Sequence, residues 1–201
     1  ANFERNLFLT TQLIELGIRP VVSLNCFDSF TLAGGTIDLQ KFSTFTGTTP
    51  FPTVARTGEG TQNLVEFIGG SDIACIDDST SCLSLPHIWL DAAEEALKLK
   101  NLKWISATPT QRYGALADLI KLQPGQIVPE LIEIRQNLAK KLSEGRETPV
   151  KTTNLACELA SDRYRRIESL IASCAIGWSS SFISPASSFA FGATSSAACS
   201  S

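Results

Sequence analysis

The chain has 201 residues, a formal net charge of −3 at pH 7 and a sequence pI near 5.2. Hydrophobic residues make up 43% and charged residues 18%, enough apolar material for one sizeable core or two small ones. The acidic balance and scattered Lys and Arg argue against a nucleic-acid partner, and no apolar run reaches the roughly 18 residues of a membrane-spanning helix.

The first predicted element is a helix from Phe3 to Leu16. Phe3, Leu7 and Ile14 share one face, and Leu9, Leu13 and Leu16 another, so the helix is expected to be covered on two sides. Gly17 stands where a C-terminal cap belongs. Pro20 to Leu24 is a short apolar run of the buried parallel-strand type, ending in the loop composition Asn25-Cys26-Phe27-Asp28-Ser29. Thr36 is expected to cap a second helix that carries Leu39, Phe42 and Phe45 and stops at Gly47. Pro50 to Val54 reads as a second strand, its prolines placing it at a strand start or sheet edge. After the loop Ala55-Arg56-Thr57-Gly58-Glu59-Gly60, Thr61 is expected to cap a third helix with Leu64, Val65 and Ile68 on its apolar face.

Residues 1–70 thus alternate helix and strand, the grammar of a parallel α/β sheet. Two strands cannot cover three helices, so the segment is expected to lack partner strands. The start at Ala1, without Met or a targeting segment, predicts a fragment. Residues 71–84 form a polar linker, expected to be a domain boundary; Asp72, Asp77 and Asp78 fit no calcium-loop spacing and read as solvated. From Leu85 the pattern is helical. Pro86 opens a helix running to about Trp104, and Thr108 or Thr110 starts the next, with Tyr113, Ala117 and Ile120 at helical spacing. Pro129 opens a third with Leu131, Ile134, Leu138 and Leu142. After a break at Glu144-Gly145-Arg146, Thr153 or Asn154 opens a fourth with Leu155, Leu159, Ile167, Leu170, Ile171 and Cys174. The expected fold is therefore α/β followed by all-α: two parallel strands with helices over 1–70, then a small helical bundle over 85–176. Residues 177–201 are rich in Ser, Ala and Phe, carry no charge, and read as a disordered tail.

The six cysteines form no CxxC pair and read as reduced thiols, with a Cys75–Cys82 loop bridge as the exception to watch. His87 sits in a first helical turn with no local metal-ligand spacing. No catalytic residue and no metal ligand is assigned.

The chemistry concentrates at Val21-Val22-Ser23-Leu24-Asn25-Cys26-Phe27-Asp28. Ligands of open α/β sheets bind beyond the carboxyl ends of the strands. An Asn-x-x-Asp placed there suits guanine, whose ring N1–H and exocyclic amine form a donor pair that one carboxylate accepts and adenine lacks. That role falls to Asp28, while Asn25 holds neighbouring loops and meets the base edge. The second strand delivers Ala55, whose small side chain lets its N–H approach the guanine carbonyl oxygen, followed by Arg56.

Phe3-Glu4-Arg5-Asn6-Leu7-Phe8-Leu9-Thr10-Thr11-Gln12-Leu13 resembles the helix that leads to the guanine-specificity strand in the ferrous-iron transport protein B family. Asn25-Cys26-Phe27-Asp28 is similar to that family's loosened specificity motif. Pro52-Thr53-Val54-Ala55-Arg56-Thr57-Gly58-Glu59-Gly60 resembles its final nucleotide loop, with Val54 where family members usually have Ser. The likeness resumes at Leu159-Ala160-Ser161-Asp162-Arg163-Tyr164-Arg165-Arg166-Ile167-Glu168. It implies the C-terminal half of a P-loop-type G domain plus the helical domain, binding GTP or GDP through Asn25, Asp28, Ala55 and Arg56. It also implies a place on the cytoplasmic side of the bacterial inner membrane, with the missing N-terminal half of the G domain and the transporter membrane domain as partners.

In that family the phosphate-binding loop, the switches and the magnesium-holding residues lie upstream. No GxxxxGK[ST] occurs in this chain, so no magnesium site and no unaided GTP hydrolysis are expected of it. The serine-rich tail does not resemble the family's membrane domain, which predicts a truncated or frame-disrupted product. The alternative reading is a non-catalytic helical interaction module with a vestigial nucleotide edge.

Overall fold

A computed structural model describes residues 3–70, 81–121, 128–174 and 176–178. Cys75, Cys199, the three linker aspartates and nearly all of the expected tail lie outside the described residues. The four cysteines that are described, Cys26, Cys82, Cys157 and Cys174, are free thiols.

Helix α1 (Phe3–Glu15) ends as Gly17 requires. Gly17 adopts φ 77°, the Ile18 N–H returns to Leu13 O, and a side chain at position 17 would run into Arg112. Strand β1 (Val22–Leu24) follows, shorter than the expected run from Pro20. The next five residues are not all loop, as composition suggested, because α2 (Phe27–Leu32) begins immediately after Cys26. Six residues hold less than two turns, too few for periodicity to show. The two-residue strand β2 (Gly35–Thr36) places Thr36 outside the next helix. The cap of α3 (Leu39–Thr46) is instead Asp38, whose carboxylate accepts the Lys41 N–H at 2.9 Å. Gly47, at φ 66°, closes α3 as expected.

Strand β3 (Pro50–Pro52) runs parallel to β1 in the register Val22↔Pro50, Ser23↔Phe51 and Leu24↔Pro52. Helix α4 (Thr61–Gly69) has Gly60, not Thr61, at its N-cap. Its expected apolar face is turned partly to solvent: Val65 and Ile68 are exposed, while the Phe67 ring packs at a tilt against that of Phe51.

The helical half comprises α5 (His87–Lys98), α6 (Pro109–Ile120), α7 (Pro129–Ser143) and α8 (Leu155–Ser173). Helix α5 stops short of the expected Trp104 because Asn101 takes a left-handed φ of 55° and Leu102 N–H turns back to Leu97 O. Trp104 opens a 3-10 turn instead. Of the two candidate starts for α6, Thr108 is the cap, completing a reciprocal box with Gln111. The buried face of α6 is Arg112, Ala115, Leu116 and Leu119, whereas Tyr113 is exposed. Residues 177–178, assigned by composition to the tail, form β4 (Gly177–Trp178), antiparallel to β2.

Two apolar clusters organise the chain. One joins α5, α6, α7 and the start of α8 around Trp89, Leu97, Leu119, Leu138, Leu155 and Leu159. The other gathers Leu7 and Ile14 of α1, Phe42 of α3, Leu83, and Ile167, Leu170 and Cys174 from the far end of α8. Each fully buried large side chain in these clusters contributes on the order of 1.5–3 kcal/mol.

Between the clusters lies a charged clamp. Glu15, whose side chain is fully buried, accepts from Arg163 Nε and Nη2 at 2.9 and 2.7 Å, and from Arg166. Arg166 Nη1 also donates to the carbonyls of Leu83 and Ser84 at 2.7 and 2.9 Å. Arg112 holds the next carbonyl, Leu16 O, at 3.1 Å while its guanidinium lies over the Trp104 ring. A buried carboxylate is tolerated only when its lone pairs are met this fully.

Candidate functional site

Because β1 and β3 are parallel neighbours, their carboxyl ends open on the same edge of the sheet. Four bonds tie the two exits together. Ser23 and Thr53 share a hydroxyl hydrogen bond of 2.8 Å. The Thr53 N–H donates to Leu24 O at 3.0 Å, and the Phe27 N–H donates to Thr53 O at 3.2 Å. The Ala55 N–H donates to Asn25 Oδ1 at 3.0 Å.

Asn25 Oδ1 also accepts the N–H of Cys26 at 2.8 Å, so a single side-chain oxygen fixes both loops. Two backbone donors on that oxygen set the amide orientation and leave Nδ2 as the donor of the side chain. The following Cys26 is held at φ 60°, a left-handed conformation that costs a non-glycine residue about 1–2 kcal/mol. That kink lets α2 start at Phe27 and puts Asp28 in its first turn.

The second loop is a closed turn. Val54, buried, bridges Glu59, while Gly58 and Gly60 take φ 80° and 72°. A Cβ at Gly60 would stand 2.1 Å from Pro52 O, so only glycine fits there. Ala55 and Arg56 project at the exposed tip.

The structure therefore brings all four sequence-predicted residues, Asn25, Asp28, Ala55 and Arg56, to one sheet edge. Arg56 Nη2 lies 3.5 Å from Asp28 Oδ2, with Asp28 about one-third exposed and Arg56 mostly exposed. Ser29 Oγ is 3.4 Å from the other carboxylate oxygen. Both contacts are long, and a solvent-facing pair of this kind contributes about 0–1 kcal/mol. The carboxylate is thus held loosely, and a better-matched donor pair displaces its present partners at little cost. The arrangement differs from the sequence expectation in one respect: the Ala55 N–H, aimed by that reading at a base oxygen, is occupied by Asn25.

Sequence reasoning did not find the roles of Ser23, Thr53 or the Phe27 N–H. Hydroxyls facing each other across adjacent parallel strands carry no spacing signal along the chain. Among the described residues, no three His, Cys, Asp or Glu side chains converge to hold a metal ion, and no helix is long and apolar enough to cross a membrane.

Residues 1–68 match the family described as Ferrous iron transport protein B. The chain is 46% identical over 67 residues to the Fe(2+) transport protein A/Fe(2+) transporter FeoB fusion protein of Porphyromonas gingivalis, covering 33% of this chain and 8% of that protein. It is 29% identical over 176 residues to the Fe(2+) transporter FeoB of Staphylococcus aureus, covering 85% of this chain and 25% of that one. The crystal structure of mGMPPNP-bound NFeoB from S. thermophilus superposes with a TM-score of 0.62 at 22% identity, over 86% of this chain and 63% of that one. The chain spans a quarter or less of the two transporters' lengths.

Proposed function

We propose that this chain, similar over residues 1–68 to the amino-terminal domain of ferrous iron transport protein B, is a GTP- or GDP-binding portion of a ferrous-iron transporter. The observation that carries the reading is the double grip of Asn25 Oδ1 on Cys26 and Ala55. It holds the Asp28 carboxylate beside the second loop at the sheet edge.

In this reading Asp28 accepts the guanine N1–H and amine together. Asn25 donates from Nδ2 to the base edge. The Ala55 N–H shares its hydrogen between Asn25 and the guanine carbonyl oxygen, a three-centre arrangement that backbone donors commonly adopt. Arg56, freed from Asp28, covers the base with its planar guanidinium. Adenine leaves the carboxylate without its donor pair, and an unmatched buried polar group is how a site rejects the wrong base.

The phosphates and any magnesium would be held by the N-terminal half of such a domain, since no phosphate loop stands in this sequence. That half would add its strands to the edge of β1 that no described strand covers. The transporter's membrane domain and a position on the cytoplasmic side of the bacterial inner membrane follow from the same reading. So does the division into a G-domain half over 1–70, a linker over 71–84, whose end is not solvated but packed through Leu83 into the second apolar cluster, and a helical domain over 85–176. Hydrolysis by this chain alone does not follow from it. The interaction-module alternative has no observation in its favour.

The test is complementation. The upstream half of a related domain is supplied as a second chain, and GDP and ADP are titrated into the pair. Binding of GDP but not ADP, abolished by Asp28→Ala, supports the assignment. An Asp28→Ala pair that binds GDP as well as the unmodified pair removes it.

A further inference from the structure

We propose that β4 is a strap: Gly177 and Trp178, a short way beyond α8, hold α2, and through it the loop bearing Asn25 and Asp28, in the observed conformation. The mechanical part stands on backbone pairing and on the packing of Gly35, Phe30 and Phe27. Its consequence for nucleotide rests on the guanine reading above.

Helix α2 has little to keep it folded by itself. It is six residues long, none of them buried, and its N-cap Cys26 makes no side-chain cap bond and sits at a strained φ of 60°. A single helix of that length is far below what is stable in water, where roughly 12–15 residues are already marginal. Its support therefore comes from both ends. At the amino end the Phe27 N–H is fastened to Thr53 O. At the carboxyl end the chain turns through Gly34, at φ 74°, into β2.

Strand β2 is equally dependent. Two residues cannot hold an extended conformation unaided, and its sheet partner is β4, in the register Gly35↔Trp178 and Thr36↔Gly177. Two residues on, the Asp38 N–H donates to Cys174 O at 3.0 Å, so the C-cap of α8 also fixes the cap of α3. Gly35 is buried against the ring of Phe30, so closely that a Cβ would stand 2.4 Å from Cε2. The Phe30 ring in turn lies 5.8 Å from that of Phe27. A continuous set of contacts thus runs from β4 to Gly35, Phe30 and Phe27, and from Phe27 to Thr53 beside Ala55. Displacing the end of α8 removes the sheet partner that β2 has among the described residues and releases α2 at the site.

The experiment is amide hydrogen exchange, read residue by residue by NMR on the full chain without nucleotide. In the double variant Gly177→Pro/Trp178→Pro, the amides of Phe27, Phe30 and Ala55 are expected to exchange about tenfold faster or more, with Leu119 in the helical core unchanged. If Thr36 loses protection while Phe27 and Ala55 keep their original rates, the strap exists but transmits nothing, and the proposal fails. It fails equally if no amide changes. Should the proline variant lose Leu119 protection, Gly35→Ala carries the test by pushing on the Phe30 ring. Phe27 and Ala55 must then speed up with Leu119 intact, and unchanged rates overturn the idea. In the complemented pair, Gly35→Ala is expected to release GDP severalfold faster while keeping its preference over ADP. Absence of GDP binding by the unmodified pair sinks the guanine reading, whereas the exchange rates decide the strap independently.

Discussion

Asp28→Asn separates base recognition from folding. The carboxylate makes one long ion pair with an exposed arginine and one weak contact with Ser29, which together stabilise the fold by no more than about 1 kcal/mol. The variant should therefore melt within a few degrees of the parent. Its effect on binding is much larger. Two charge-assisted hydrogen bonds to guanine, at about 1.5–3 kcal/mol each, are replaced by one neutral bond and one donor facing a donor. The loss is roughly 3–6 kcal/mol, or about 10²–10⁴-fold in Kd. Xanthine carries a carbonyl where guanine carries the amine, so the new amide accepts its N1–H and donates to that oxygen. In the complemented pair, isothermal titration should show GDP affinity falling and xanthosine diphosphate affinity rising. A variant whose GDP affinity stays within threefold of the parent, with its melting temperature unchanged, would refute the role given to Asp28.

Other outcomes follow from the same contacts. Glu15→Ala leaves Arg163 and Arg166 facing an empty, buried partner position and should cost about 3–5 kcal/mol, read as a lowered urea midpoint. Gly60→Ala combines a Cβ clash with Pro52 O and a φ of 72°, and should destabilise by about 1–3 kcal/mol in the same assay. Burial, with the nearby Cys82 and Asp38 adding to it, pushes the Cys174 thiol above its ordinary value of 9.0. A raised acid pKa means the contribution to stability is intact below that ordinary value and falls as pH rises beyond it, so the parent should lose more stability than Cys174→Ala between pH 8 and about 10.5. Iodoacetamide at pH 8 should label the exposed Cys157 well before Cys174, as mass spectrometry of short time points will show.

The long helices were legible because their apolar residues repeat over several turns and their caps are chemically distinct, as Thr108 with Gln111 and Pro129 show. The meeting of the two strand exits was legible because the sheet rule fixes where they open, and Asn25 and Ala55 do meet. What escaped is short or depends on distant parts of the chain. Composition read Asp28 as part of a loop because α2 is too brief for a period. Thr36 passes every local test for a cap, yet β4, roughly 140 residues away along the chain, recruits it into a strand. Val65 and Ile68 read as a core face, but an apolar pattern says that a helix side wants cover, not that cover is present.

Helix α8 contributes Leu155 and Leu159 to one apolar cluster and Ile167 and Leu170 to the other. It acts as a common spine, and the consequence falls on cooperativity. A peptide of residues 1–70 would be missing the wall formed by Ile167, Leu170 and both arginines that neutralise Glu15, so it should not hold a native core when expressed by itself. The same sharing ties the melting of the α/β half to that of the helices, giving one thermal transition where the alternation of elements along the sequence would suggest two.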